Sequence, residues 1–524
     1  MSQTFLQDRL THVEDDTLVA IDRFFLATRD SGYKGTPSAI AELVDNALQA
    51  GASHIAINIE PDETKGDGSL RIEVIDNGTG MDEPTLHQAL RFGGSTRFND
   101  RRGLGRYGMG LPNSSLSQAR RVDVYTWRSS SNVITSFLDL DDVITGRLTR
   151  VPKPIAMSLP PSVVSLGFRS GTAVIWRRCD RLDHRRVSTI TKKLHGSLGR
   201  IFRYFLWDGT KIIVNGEKIR PIDPLFLNKD SVTSGGQAFG TPLEYDIKIP
   251  LPDGQGIAEG RIVVVFSELP VEKWHHLSND EKQKLGIPKS AGVSVVRANR
   301  EIEYGWFFMG EKRKENYDDW WRCEVRFDPG LDEVFGITHT KQQVRPTHDL
   351  LEVLTPDLEA VAKTLHRRVR FAHEGMKASK RAMDSETVAA AKDKFLPPLP
   401  QHRPSESIRR TVEALEKRHP QLKASKLAIS QPSYSIVESE IGGKRVFHTY
   451  RRGGQLIMVL NTDHPFYKRL YHPLSEDEGA ASAALRQKLD LVLLAAARAE
   501  ALVGVSASRQ FLDAWSNAIT TFIS

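Results

Sequence analysis

The sequence predicts a mixed α/β protein of several domains, and three observations predict it. Stretches such as HIAINIE and LRIEVID alternate apolar and polar residues with the two-residue period of half-buried strands. TPSAIAELVDNALQAGA spaces its apolar residues as an amphipathic helix does. At 524 residues the chain exceeds what one hydrophobic core organises, and roughly two to four domains are expected.

The helix of TPSAIAELVDNALQAGA is bounded by recognisable signals. Thr36 is the expected N-cap, Pro37 takes the first helical position and Gly51 follows the last turn. Ile40, Val44, Ala47 and Leu48 form one face, and Glu42, Asp45, Asn46 and Gln49 form the other. The two alternating stretches come next, then a short helix over 82–92 and a glycine-rich span over 93–110. Strands resume at VDVYTW, ITSFLDL and TAVIW, and a helix over 190–205 closes the first domain. A second domain is expected to open on KIIVNGEKIRPIDP, a hairpin turning at Asn215-Gly216. It continues through RIVVVF and GVSVVRANREI to a helix over 350–373. The proline-containing KFLPPLPQHRPSES reads as linker. The strand GQLIMVLN and the helical ALRQKLDLVLLAAARAEALV mark a last domain. The expected boundaries are 1–207, 208–375, a basic linker over 376–406, and 407–524, a mixed α/β domain with a long helical end.

Composition narrows the function classes. No run of about eighteen apolar residues is present, so no membrane-spanning helix is expected. The first residues, MSQTFLQDRLTHVEDD, lack the apolar core of a signal peptide. Cys179 and Cys323 are the only cysteines, too few for a zinc cluster or a disulfide framework, and a reducing cytoplasm is the expected compartment. The formal charge is +7. Residues 361–420 hold fourteen Lys and Arg against seven Asp and Glu, an excess equal to that of the whole chain. The basic segment that starts at Lys363 and ends at Arg418 is therefore the candidate DNA contact; its plainer reading is a solvated helix and linker.

Five motifs carry chemistry. On the first helix Glu42, Asp45 and Asn46 project together, able to hold a water beside a divalent cation. Alone they also fit a solvated helix face. Asp76-Asn77-Gly78-Thr79-Gly80 ends the strand LRIEVI; its carboxylate suits an exocyclic amine and its glycines admit a ligand closely, or else Asn77-Gly78 is a hairpin turn. GLGRYGMGL, with Gly103, Gly105, Gly108 and Gly110, offers successive backbone N–H groups to phosphates, or is simply a loop. No strand precedes it, which excludes a dinucleotide-binding βαβ reading, and no Gly-Lys-Ser/Thr follows. Ser170-Gly171-Thr172 enters the strand AVIW, and Thr340-Lys341-Gln342 sits in FGITHTKQQVRP. Each of these two is weak alone, as a turn and as a solvated lysine. His464 and Tyr467, in LNTDHPFYKRLY, read as a packed turn.

In this order and at this spacing, the first four motifs resemble those of the GHKL ATPases: gyrase, heat-shock chaperone ATPases, MutL, sensor histidine kinases and MORC proteins. ELVDNALQAGA is similar to the family's N-box, IDNGTGM to its D-x-G-x-G box, GRYGMGL to its second glycine box and SGTAVIW to its third. The resemblance covers 36–176. It implies the Bergerat fold, an α+β sandwich in which helices lie on one face of a mixed sheet with ATP between them. By that resemblance Glu42 activates water, Asn46 holds Mg2+ and Asp76 accepts the adenine amine. Gly78 and Gly80 shape the pocket floor, Gly105, Gly108 and Gly110 cradle phosphates from a lid, and Gly103 belongs to the same nucleotide-binding set. Thr172 lies near adenine, and Asp45, Met81, Ser95, Arg106, Tyr107, Met109 and Leu111 complete the nucleotide-binding set.

GVSVVRANREI followed by FGITHTKQ resembles the transducer domain of gyrase, MutL and MORC proteins, which implies that Lys341 reaches the γ-phosphate. Sensor kinases lack that domain, and too few residues precede Thr36 for their phosphoacceptor helix. HGSLGRIFRYFLWDGTKIIVNGEKIRPIDPLF is most similar to MORC and bacterial MORC-like ATPases. Two cysteines cannot form the CW-type zinc finger of many animal MORC proteins, and neither a topoisomerase tyrosine domain nor the MutL nuclease motif is found. The resemblance implies a slow Mg-dependent ATP hydrolase, an ATP-gated homodimer acting as a clamp on DNA, and for MORC-like bacterial ATPases a place in antiviral defence. The alternatives are a chaperone-like or signalling ATPase with a protein partner, and a nucleotide-sensing module with negligible turnover.

Overall fold

The computed structural model describes residues 20–30, 33–62, 69–94, 109–251, 256–337, 343–393, 395–400, 406–419, 422, 433–452, 455–476, 480–503 and 505–523. The chain divides into two compact units, 1–369 and 370–524. Among the described residues the strands form three sheets, of eight, five and three strands.

The first sheet holds β1 (His54–Pro61), β2 (Leu70–Asp76), β3 (Ala119–Trp127), β4 (Val133–Asp139), β5 (Ile155–Ala156), β6 (Gly171–Cys179), β7 (Lys211–Val214) and β8 (Glu217–Lys218). Their spatial order is β5-β4-β3-β6-β2-β1-β7-β8. Neighbours run antiparallel except β1 and β7, which are parallel. One face of the sheet buries Ile55, Ile57, Ile72, Val74, Val122, Val124, Val174 and Trp176 against helices. Those helices include α1 (Ile21–Asp30), α2 (Thr36–Gln49), α3 (Glu83–Ala89), α4 (Gly110–Gln118), α5 (Val187–Ile201) and α6 (Arg203–Trp207). From α2, Ile40, Leu43, Val44 and Ala47 enter this core, and α5 adds Ile190, Leu194 and Leu198 at helical spacing. The opposite face keeps only a small cluster around Ile75, Trp127, Val163 and Ala173. The result is a two-layer α+β sandwich.

The second sheet of the same unit has the order β12-β11-β13-β10-β9. Its strands are β9 (Gln237–Pro250), β10 (Ile257–Glu268), β11 (Gly292–Arg297), β12 (Arg300–Gly305) and β13 (Trp321–Phe327). It packs on α7 (His348–Asp393), whose Leu350, Leu354, Leu358, Ala362 and Leu365 form one apolar stripe. In the second unit, a sheet ordered β14-β16-β15 is built from β14 (Ser433–Ser439), β15 (Phe447–Arg452) and β16 (Gln455–Asn461). Leu493, Leu494 and Ala497 of α9 (Ala480–Val503) and Leu512 of α10 (Val505–Ile523) cover it, and α8 (Glu406–Arg418) buries Val412 and Leu415 in a smaller cluster.

Three local expectations are revised. The hairpin turning at Asn215-Gly216 forms, with positive φ at both residues, but it extends the first sheet instead of opening a second domain. Ile212 and Val214 explain this, since both are buried in the core beside β1. Helix α7 runs on through 376–393, where linker was expected; that stretch is basic but contains no Gly or Pro to stop a helix. The helix expected over 190–205 divides at Phe202 into α5 and α6. At the HPFY turn His464 is buried, its Nδ1 accepts the Phe466 N–H at 3.1 Å, and its Nε2 lies 3.0 Å from Thr520 Oγ1. Burial lowers its pKa, which suits a packed turn.

Candidate functional site

Helix α2 starts differently from what local capping rules suggest. Thr36 is inside the helix rather than capping it; its N–H donates to Asp183 Oδ2 at 3.1 Å and its hydroxyl to Gln118 Oε1 at 2.8 Å. A carboxylate far along the chain thus does the work of the N-cap. The C-terminal end follows expectation, with Gly51 at φ +75°.

The polar face of α2 is not a solvated face. Glu42 is 4% exposed and Asp45 0%. The Glu42 carboxylate lies under Gly110, the first residue of α4, and a Cβ added there would overlap Glu42 Oε1. Asn46, one turn beyond Glu42, is half-buried. Both Asp45 carboxylate oxygens are engaged by Arg300 Nε, at 2.9 and 3.0 Å. Asp45 was expected among the nucleotide-binding residues; its carboxylate is instead committed to this ion pair. Burial and the neighbouring Glu42 and Asp45 carboxylates push the Tyr33 hydroxyl well above its ordinary pKa, with Arg300 acting the other way.

The segment after β2 is a loop stapled to the chain after α2 rather than a hairpin. Asn77 Oδ1 accepts from the Ser53 and His54 N–H groups, each at 2.9 Å, and the Thr79 N–H donates to the Ala50 carbonyl at 3.0 Å. These bonds staple the loop to the chain just after α2. Asp76 is buried and accepts backbone N–H bonds from Gly78, at 2.8 Å, and from Thr172. Desolvation dominates and pushes its carboxyl up to about 6, while the two N–H bonds pull the other way. Gly80 has φ +67°, and a Cβ there would overlap the Trp127 carbonyl, so this position needs glycine twice over. Ser170 Oγ donates to the Gly78 carbonyl at 2.8 Å, and the Thr172 and Thr126 hydroxyls lie 3.2 Å apart. The Met81 N–H donates to Thr126 Oγ1 at 2.8 Å.

The structure therefore links four of the five motifs through α2. The Asp76 loop ties to its C-terminal end, Ser170 and Thr172 tie to that loop, and Gly110 rests on Glu42. Met81 and Met109 are half-buried and Leu111 is buried. Ser95, Gly103, Gly105, Arg106, Tyr107 and Gly108 lie outside the described residues, as does Lys341. Sequence reasoning missed Arg300 and Tyr33. Arg300 stands 255 positions from Asp45, and no local pattern signals a pair at that separation.

The family described as histidine kinase-, DNA gyrase B- and HSP90-like ATPase matches residues 33–172, the span that holds α2, the Asp76 loop, Gly110 and Thr172. Residues 33–172 form a GHKL ATPase domain. The chain is similar to Protein MICRORCHIDIA 6 of Arabidopsis thaliana, 31% identical over 121 residues, 22% of this chain and 18% of that protein. ATPase MORC2B of Mus musculus is 28% identical over 205 residues, 37% of this chain and 19% of the relative. The DNA mismatch repair protein MutL of Rhizobium meliloti is 38% identical over 170 residues, 31% of this chain and 26% of the relative. The matched spans are thus about a fifth to a quarter of those proteins. A solved N-terminal domain of a DNA repair protein aligns with a TM-score of 0.40 and 15% identity, covering 64% of this chain and 97% of its own. Among the described residues, no helix is long and apolar enough to cross a membrane.

Proposed function

We propose that this chain is a magnesium-dependent ATP hydrolase whose ATP-bound form dimerises into a clamp on DNA. The observation that carries the ATPase reading is the placement of two buried carboxylates. Asp76 stands among Gly78, Gly80 and Thr172, and Glu42 lies directly under the N-terminus of α4. In this reading ionised Asp76 accepts the adenine amine, and the glycines leave room for the ring. Phosphates approach the N-terminus of α4 at Gly110, where backbone N–H groups favour negative charge. Glu42 orients a water and takes its proton as the water oxygen bonds the γ-phosphorus. The bond to the bridging oxygen breaks and ADP leaves with that oxygen. Asn46, whose carboxamide oxygen is a hard donor, would hold Mg2+, which would neutralise charge on the phosphates. Lys341, by the family resemblance, offsets charge on the transferring group. The nucleotide-binding portion runs from the N-terminal helices through the hairpin that ends on β8, the transducer-like portion follows it, and a reducing, cytoplasmic setting agrees with free Cys179 and Cys323.

Phosphate release from ATP, measured with and without Mg2+, tests the core of this reading. No release above a Glu42→Ala control would reject it. Gly110→Ala is a second test. The added methyl must displace the Glu42 carboxylate, and a shift of about 1 Å is expected to lower turnover about 10- to 100-fold. Wild-type turnover in that variant would place Glu42 away from the chemistry.

The DNA part rests on the basic segment between Lys363 and Arg418 and on relatives named for DNA mismatch repair. Binding to duplex DNA is expected at low salt, falling steeply as salt rises because counterions are released from the phosphates. Absence of binding at low salt rejects DNA as the clamped partner. A protein partner is the second reading, favoured by the exposed Phe371, Phe395, Phe511 and Phe522. ATPase stimulation by protein but not by DNA would select it.

A further inference from the structure

Strand β12 carries three charged residues that reach several elements of the first sheet's helical layer. Arg300 holds Asp45 on α2, and its Nη1 also donates to the Glu301 carbonyl at 3.1 Å. Glu301 accepts from Arg200 of α5 at 2.7 Å and from Arg203 of α6 at 3.0 Å. Glu303 accepts from Lys34, just ahead of α2, at 2.9 Å. The strand is itself fixed. The turn before it places Ala298 and Asn299 at φ +45° and +65°, the paired left-handed geometry of a tight hairpin, and Arg297 is clamped by Asp332 at 2.5 and 2.8 Å.

On α2, Asp45 comes three residues after Glu42 and directly before Asn46. A helix is stiff over one turn, so whatever fixes Asp45 also fixes the residues on either side of it. A buried ion pair is a weak source of stability, because desolvation offsets the attraction. What the pair does supply is one geometry: both carboxylate oxygens are held by one guanidinium nitrogen.

We propose that Arg300 is a positioning residue for ATP hydrolysis: through Asp45 it sets where Glu42 and Asn46 stand, so the second sheet governs turnover in the GHKL domain. This inference rests on the reading of Glu42 as the base. The test compares kcat, KM and the equilibrium affinity for a non-hydrolysable ATP analogue in the full chain, for Arg300→Met, Arg300→Lys and a Glu42→Gln control. Arg300→Met is expected to lower kcat about 10- to 100-fold while analogue affinity stays within about twofold. Arg300→Lys keeps the charge without the planar fork and is expected to recover part of that loss. If Arg300→Met does not fold, a fall in kcat at unchanged affinity in Arg300→Lys carries the test. Wild-type kcat in a folded Arg300 variant, or parallel loss of kcat and affinity, overturns the proposal. Should Glu42→Gln retain turnover, the base assignment itself fails. Should Glu42→Gln be inactive while the Arg300 variants turn over normally, only the positioning role fails.

Discussion

Glu42→Gln is expected to abolish measurable ATP turnover while leaving nucleotide affinity nearly unchanged. Glutamine has the size and planar head of glutamate, so it fills the same buried space under Gly110 and beside Asp45. It cannot take a proton from water, and loss of a positioned general base typically costs about 100- to 10,000-fold in rate. Exchanging a buried carboxylate for a neutral group of the same shape removes a desolvation cost. The melting temperature of the variant should therefore match or exceed that of the wild type. A phosphate-release assay read beside binding of a fluorescent ATP analogue checks both halves. Turnover close to wild type at full occupancy would remove Glu42 from the mechanism, whatever its position. Glu42→Ala is the less informative choice, since it also opens a cavity and a loss of activity would have two causes.

Much of the site was legible because its residues act on neighbours in sequence. Gly78 and Gly80 follow Asp76 by two and four residues, and the loop they form is set by local backbone geometry. The strands around it announced themselves by alternation. What the sequence concealed depends on distance along the chain. Asp183 replaces Thr36 as the cap of α2, and Arg300 takes up Asp45, because side chains 147 and 255 positions away fold into place. The same cause left a solvated face open for α2 taken alone: its Glu42 lies under Gly110 of α4 and its Asp45 pairs with Arg300 of β12, and neither can be foreseen from helical periodicity. The hairpin at Asn215-Gly216 was recognised, but its sheet was not. A strand's partner is decided by which core its apolar residues complete, and Ile212 and Val214 complete the first.

Asp76→Asn is expected to weaken ATP binding about 100-fold or more, since a site built to hydrogen-bond one group is left with mismatched polar atoms. The asparagine amide can present a donor where the adenine amine also donates. The pH dependence follows from the same carboxyl, held at about 6 by burial. Wild-type affinity should fall as pH drops through about 6, because protonation removes the negative charge and turns one acceptor oxygen of Asp76 into a donor; the variant should show no such step.

Stability is expected to move the opposite way. Folded Asp76 holds its proton up to about pH 6, against an ordinary value of 3.8. Between those values the folded state binds more protons than the unfolded, so stability falls as pH rises through that window and stays lower above it. The difference amounts to about 3 kcal/mol. An asparagine does not ionise, but it accepts the Gly78 and Thr172 N–H groups less strongly than a carboxylate does. Its net gain at pH 8 is then about 1–2 kcal/mol, a rise of a few degrees in melting temperature, vanishing near pH 4. Thermal melts of ligand-free protein at pH 4 and pH 8 measure this. A variant less stable than wild type at pH 8 would mean that Asp76 is held mainly by its backbone N–H bonds. The carboxylate would then be a structural strut of the β2–β6 junction instead of a strained acceptor awaiting an amine.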